Sequence, residues 1–351
     1  MEHHKKYEVT SLTLDFEDRE LRRIRAIRQF GAVKIGDLGG WIEGEHNLSH
    51  DGSAWVMDEA IVFQDAIVTE TAIVRNNVIV SGNAKVFGKA LIQDQARINH
   101  YALVFGNAII RESACVFEAA KVGTNSIICG NAQVYGSSKI QRALVTGNAI
   151  ISGLACVNGG RIEGSARVYD NAEIRDHANI CENAQIYGKA KVFDKSFVGG
   201  NARVYENASL SSWEPRVYGN ARIFGNAMVC GGATIFGDAE IFDNARVGSV
   251  LSAPKVYGKA KIFGNASIGA AHLDDVINAE IYENAKIYGD AAMSGATAKG
   301  FSEIFESARV QERAMIDGNA KIYGNATVWG DAVISGHAQI GGDSDISETP
   351  K

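Results

Sequence analysis

The chain has 351 residues, a formal net charge of -6 and 46% hydrophobic residues, with 38 Gly and only 3 Pro. So mild a charge leaves neither nucleic acid nor an anionic membrane as an expected partner, while the apolar fraction suffices for a long continuous core. Cys115, Cys129, Cys156, Cys181 and Cys230 show no metal-binding spacing, and with no apolar run of signal or transmembrane length after Met1-Glu2-His3-His4-Lys5-Lys6 they read as free thiols of a cytoplasmic protein.

Residues 1–40 stand apart from the rest. The run from Tyr7 to Phe16, the charged tetrad Glu17-Asp18-Arg19-Glu20 and the run from Leu21 to Phe30 predict a β-hairpin with a charged turn. It is expected to cap the first coil of a solenoid, because an open solenoid end leaves strand edges and apolar interior in water. Gly39-Gly40-Trp41-Ile42, Asn47-Leu48-Ser49 and Ala54-Trp55-Val56 lead from this cap into the repeat segment, 41–342, and 343–351 read as a tail.

From about Ala54 to Ile340 a six-residue unit recurs, clearest in Arg203-Val204-Tyr205-Glu206-Asn207-Ala208 and Lys321-Ile322-Tyr323-Gly324-Asn325-Ala326. A small residue, usually Ala, stands two before a Val or Ile, so Ala-x-Val alternates inward, outward, inward as a short strand does. The remaining Tyr/Phe-Gly-Asn/Asp is then a corner, and Gly82-Asn83, Gly106-Asn107 and Gly219-Asn220 are expected to supply positive φ at both positions. Short strands and tight corners at a constant step predict an all-β, single-stranded parallel β-helix, each coil hydrogen-bonded to the next. At about 18 residues per coil this gives roughly 16 three-sided turns.

The Val-x-x-x-Ala spacing resembles the hexapeptide-repeat superfamily, and the junction from Gly39 to Val56 resembles the bacterial and phage-borne proteins of the YdcK type. The resemblance covers nearly the whole chain. It implies a left-handed coil, a hand that general connection rules do not supply, and a host-directed role where such proteins are phage-borne. Other members of the superfamily are acyltransferases and γ-class carbonic anhydrases, so the resemblance also sets two enzyme chemistries to be tested against the residues.

Histidines decide that test. His177 and His337 directly precede an inward Ala and His100 lies in a turn, all three reading as corner residues. His46 and His50 are four apart with no third ligand at a suitable spacing, so no metal is expected. Acyltransferases of the superfamily place a catalytic His near an extended loop between subunits. His272, in Gly269-Ala270-Ala271-His272-Leu273-Asp274-Asp275, is the only His beside a long interruption and is the weak candidate, with acyl-CoA as its cofactor. A loop His next to two carboxylates is ordinarily just solvated, and without it no cofactor is expected. Outward charges such as Lys85, Arg97, Lys121 and Arg203 exclude the threonine array of an ice-binding face, and corner aromatics such as Tyr187, Tyr205 and Phe224 are expected to stack between turns rather than form a track for sugars or bases.

Sorting outward residues by face is more discriminating. Every third hexad from Trp55 gives Trp55, Ile73, Leu91, Ile109, Ile127 and Leu144, all apolar, a run with odds of roughly one in a hundred on a named face, or a few in a hundred over three faces, at 46% apolar composition. The face continues as Arg161, Asn179, Phe197 and Arg216, so the apolar stripe ends near residue 150. Such a patch marks an interface, and a homo-oligomer is expected. Interruptions at Gly159-Gly160, Ser211 to Pro215, Ser249 to Pro254 and Ala270 to Asp275 fall multiples of three hexads apart and should protrude from the one edge leading into this face; a longer break from Ala292 to Phe301 has no clear register. Loops on a rigid scaffold carry function, so Trp213, Arg216, Lys255, His272, Asp274 and Asp275 are candidates to meet an unknown protein or small molecule. The favoured reading is a non-catalytic binding scaffold, and the alternative is an acyltransferase or acetyltransferase.

Overall fold

The structure, a computed structural model, describes residues 5–269 and 278–348. They form two compact units, 1–169 and 170–351, each a parallel β-solenoid. No described helix is long and apolar enough to cross a membrane.

In the first unit the expected hairpin is present: β1 (Tyr7–Phe16) and β2 (Arg19–Ala26) pair antiparallel. Glu17 and Asp18 take φ of 48° and 57°, the two left-handed residues that match a two-residue turn to strand twist. β3 (Leu38–Ile42) pairs antiparallel with β2 and then parallel with Ile61–Val62. The hairpin thus caps the unit by extending one wall of its first coil, and Leu14, Phe16, Leu21, Trp41, Ile61 and Phe63 form a small core there.

The repeat folds as its alternation dictates. Strands are mostly two residues long, and the inward pairs, such as Ala72 and Val74, Ala90 and Ile92, or Ala202 and Val204, are fully buried. Each coil donates backbone hydrogen bonds to the next, as from Trp55 N–H to Ala72 O (3.0 Å) and Met57 N–H to Val74 O (2.8 Å). Coils recur about 17 times over the two units together. In the second unit the repeat runs into the segment read as a tail, because Asp345–Ile346 pairs with Thr327–Val328.

The corners correct one expectation. Only the Gly of the Gly-Asn pair is left-handed (Gly82 67°, Gly106 66°, Gly219 71°). The Asn instead joins a column of side-chain amides and carboxylates, Asn183 donating to Asn201 (3.2 Å), Asn201 to Asn220 (3.1 Å) and Asn220 to the Asp238 carboxylate (2.9 Å). Where Gly is missing, the left-handed slot often holds an acid, for example Glu70 (62°), Asp94 (64°) or Glu206 (58°). The reason is a compensating bond: the carboxylate accepts the N–H of the left-handed residue one coil on. Gly88 donates to Glu70 (3.0 Å), Gly130 to Glu112 (2.7 Å) and, in the second unit, Gly225 to Glu206 (2.8 Å). A charge-assisted hydrogen bond of this kind offsets the conformational strain.

Candidate binding surfaces

Strand register places the apolar stripe in a single column of the first unit. Trp55 pairs with Ile73, Ile73 with Leu91, Leu91 with Ile109, Ile109 with Ile127, Ile127 with Leu144, and Leu144 with Arg161. Trp55, however, is buried under the N-terminal segment, in edge-on contact with Tyr7 (6.1 Å) and Phe30 (5.3 Å). Nothing in the hexad pattern signals which outward residue the cap folds over. Ile73 is 37% exposed, and Leu91, Ile109, Ile127 and Leu144 are half-buried because each leans on the next. The adjoining wall carries Ile67, Lys85, Leu103, Lys121 and Lys139, so the uncharged column is particular to one wall.

The interruptions also gather as expected. In the first unit, Gly159-Gly160 lies within the strand Cys156–Ile162, which passes from the Lys139 wall to the Leu144 wall. In the second unit, one wall carries Lys191, Ser209, Met228, Arg246, Ser267 and Ala292. Its neighbour carries Phe197, Arg216, Thr234, Lys255, Glu280 and Thr297. The irregular connections, including the break after Ala292 whose register the hexads do not reveal, join these two walls at one corner.

At that corner Trp213 is 66% exposed, and it and Ser212 take φ of 90° and 64°. Two consecutive non-glycine residues in this region store strain that the surroundings must hold. Ser212 N–H donates to the Asp194 carboxylate, Trp213 O accepts from Lys195 N–H (3.2 Å), and Trp213 pairs with Gly231. Two coils further, Val250 and Leu251 are 62% and 55% exposed; the sequence marks their loop but not its apolar tip, the signal being two aliphatics inside a Ser/Pro-bounded interruption. Arg216 lies over the Phe197 ring (4.9 Å) and Lys255 reaches Glu280 (3.3 Å). His272, Asp274 and Asp275 lie outside the described residues.

The other histidines take local roles. His100 occupies a left-handed corner slot (57°), and His177 and His337 are exposed corner residues. His46 Nε2 bonds to Gln64 O (2.8 Å), whereas His50 stacks on Tyr7 (4.2 Å) and takes the Lys6 N–H at Nδ1 (3.3 Å). Burial lowers the His50 pKa, with nearby Glu45 opposing. In an open, polar pocket of about 350 Å³ beside His46, lined also by Arg19, Glu43, Gln64 and Asp65, Glu43 and Arg19 are paired with each other (2.5 Å) and Glu43 also takes the Gln64 N–H (2.7 Å).

The corner aromatics stack between coils, as expected. Tyr187, Tyr205, Phe224, Phe242, Phe263, Tyr288, Phe305 and Tyr323 form one column in the second unit, its centroids 4.8–5.4 Å apart and its planes within 12°. Each inner ring spends both faces on its neighbours, so no sugar or base can enter the column. Beside it runs a column of ion pairs in which Glu240 meets Arg222 (2.6 Å) and Lys261 (2.7 Å), and Glu303 meets Lys286 and Lys321 (3.1 Å each).

Two segments match a known family. Residues 216–231 and 320–336 match the YdcK β-solenoid repeat, and both lie in coils of the second unit described above. No curated protein matches the chain.

Proposed function

We propose that this protein is a non-catalytic binding scaffold, joined to a second copy through the aliphatic column of its first unit and meeting a further partner at the loop corner of its second. The observation that supports it most is the uncharged ladder from Ile73 to Leu144, in register, beside a wall carrying three lysines. Among the described residues, the N-terminal segment sets its rings against the column at Trp55. A flat apolar strip with a fixed spacing of about 4.8 Å fits another of the same spacing, and pairing two removes both from water at about 25 cal/mol per Å².

Light scattering tests the reading. The unmodified chain should be an oligomer, and Leu91→Lys with Ile109→Lys should dissociate it while the β-sheet circular dichroism persists, because both side chains point out of the coil. A monomeric parent, or an oligomer indifferent to the two lysines, removes the self-association.

A further inference from the structure

We infer that His50 is a pH-sensitive latch: protonating its ring releases residues 5–7 and uncovers Trp55, the end of the aliphatic column. The release stands on the contacts around His50; only its effect on assembly rests on the proposed pairing through that column.

One short stretch of chain holds the segment down. Lys6 N–H donates to His50 Nδ1 (3.3 Å), the Lys6 ammonium to Ala54 O (2.8 Å) and the Tyr7 hydroxyl to Leu48 O (2.8 Å), while Lys5 pairs with Glu45 (2.6 Å). Tyr7 stacks on the His50 ring (4.2 Å) and meets Trp55 edge-on (6.1 Å). The contacts that seat Lys6 and Tyr7 therefore also keep Trp55 out of water, at 2% exposure. Freed, Trp55 would lengthen the column by one large side chain next to Ile73.

One of these contacts requires a neutral ring. An imidazole accepts a hydrogen bond only at an unprotonated nitrogen, and Nδ1 takes the Lys6 N–H, so the neutral ring carries its proton on Nε2. That nitrogen is buried with no hydrogen-bond partner among the described residues, the Glu45 carboxylate at 3.7 Å being too far for one. A second proton must go on Nδ1, where it sets a donor against the Lys6 N–H and breaks the bond. It also places a cation beside the Lys6 ammonium, which is itself charged below about 8.

The charged and titratable groups around the ring are Lys5, Lys6 and Tyr7 of the N-terminal segment, Arg28 after β2, whose guanidinium reaches His50 O (3.4 Å), and Glu45, His46 and Asp51 of its own stretch. Burial, the largest influence, acts with Lys5 and Lys6 to outweigh Glu45 and lower the pKa from 6.5. A released ring takes its proton at the ordinary value, a held ring only beneath it. The hold on the segment is therefore full above about 6.5, weakens as pH falls toward the lowered value and is constant below that.

Amide hydrogen exchange in the full chain tests the latch, expressed as protection so that the intrinsic pH dependence cancels. Ile27 N–H, which donates to Lys6 O (3.0 Å), reports the segment, and Trp55 N–H, which donates to Ala72 O (3.0 Å), reports the coil beneath it. From pH 7.5 to 5.5 the protection of Ile27 should fall by up to about tenfold for each unit by which His50 is lowered, and that of Trp55 should hold. His50→Phe keeps a ring against Tyr7, and His50→Gln keeps an acceptor for Lys6 N–H. Both should abolish the slope, whatever they do to the absolute protection. A slope that survives both, as titration of His3, His4 or His46 would give, overturns the assignment to His50. A fall confined below about pH 4.5 marks loss of the Lys5–Glu45 pair and overturns it as well. Parallel loss at Trp55 shows the whole coil opening and overturns local release. Light scattering reads the consequence: the parent should associate more tightly at pH 5.5 than at 7.5, and His50→Phe equally at both. A monomer at both values with the Ile27 slope present leaves the latch standing and removes the pairing through the column.

Discussion

Lys6 offers a direct measure of how firmly the N-terminal segment is seated. It is fully buried, its ammonium donating to Ala54 O (2.8 Å) and Gly52 O (3.4 Å) under the Phe30 ring. Burial, reinforced by Arg28 and opposed by Asp51, pushes its pKa down from 10.5 to about 8. Between those values the unfolded segment binds a proton that the folded one has released, so stability rises with pH across the window and is flat below it. At 1.36 kcal/mol per unit the full displacement amounts to about 3 kcal/mol. Tyr7, whose phenol burial pushes up from 10.0, acts in the opposite sense above pH 10, so the measurement stays between pH 7 and that limit. The assay is urea unfolding followed by fluorescence in a Trp213→Phe, Trp329→Phe background. Of the four tryptophans only Trp41 and Trp55 then report, both against the N-terminal segment. Cys115, whose thiol burial pushes up from 9.0, opposes in parent and variant alike, so it is relative to Lys6→Met that the parent should gain about 2 to 3 kcal/mol from pH 8 to 10. Equal pH slopes for parent and variant would refute the reasoning.

Two further predictions concern the coils. A Cβ at Gly88 (φ 71°) would stand 2.6 Å from Gly106 N, so Gly88→Ala should destabilise by roughly 1–2 kcal/mol. Gly88→Glu should cost less despite its size, because its carboxylate can accept the Gly106 N–H as Glu70 accepts that of Gly88 (3.0 Å); denaturation placing Glu below Ala would contradict the carboxylate column. At Glu303, burial alone would raise the carboxyl, but hydrogen bonds from Lys321 and Lys286 hold it below the usual range. Its contribution is present above the ordinary Glu pKa and lost as pH falls through the lowered one, so Glu303→Gln should destabilise by about 1 kcal/mol at neutral pH and flatten that part of the acid titration. An unchanged acid limb would exclude the pairing.

The repeat was legible because its physics is periodic. Ala-x-Val fixes which way each side chain points, and a constant step fixes its neighbours, so the column from Trp55 to Leu144 and the common corner of the interruptions emerge from counting. What counting misses is aperiodic. Trp55 looks like the other members of its column until Phe30 folds over it, and Lys6 in a polar leader gives no sign that Ala54 O will draw it inside. The Gly-Asn corners misled for a different reason: both residues tolerate positive φ, and the choice between them depends on the coil above, which a single hexad does not contain. For His272, Asp274 and Asp275 the counting identified a loop, and they fall outside the described residues.

Confining every irregular connection to one corner has a consequence for how such a chain can change. Within each unit two of the three corners keep the same length from coil to coil, and their ladders of amides, carboxylates and rings require it. The third absorbs steps from Lys139 to Leu144, Arg246 to Lys255 or Ser267 to Glu280 without displacing the strands on either side. Residues can therefore be added or removed there while every neighbouring pair stays in register. The scaffold separates the part of its surface that can diversify from the part that must repeat, much as an antibody domain separates loops from framework.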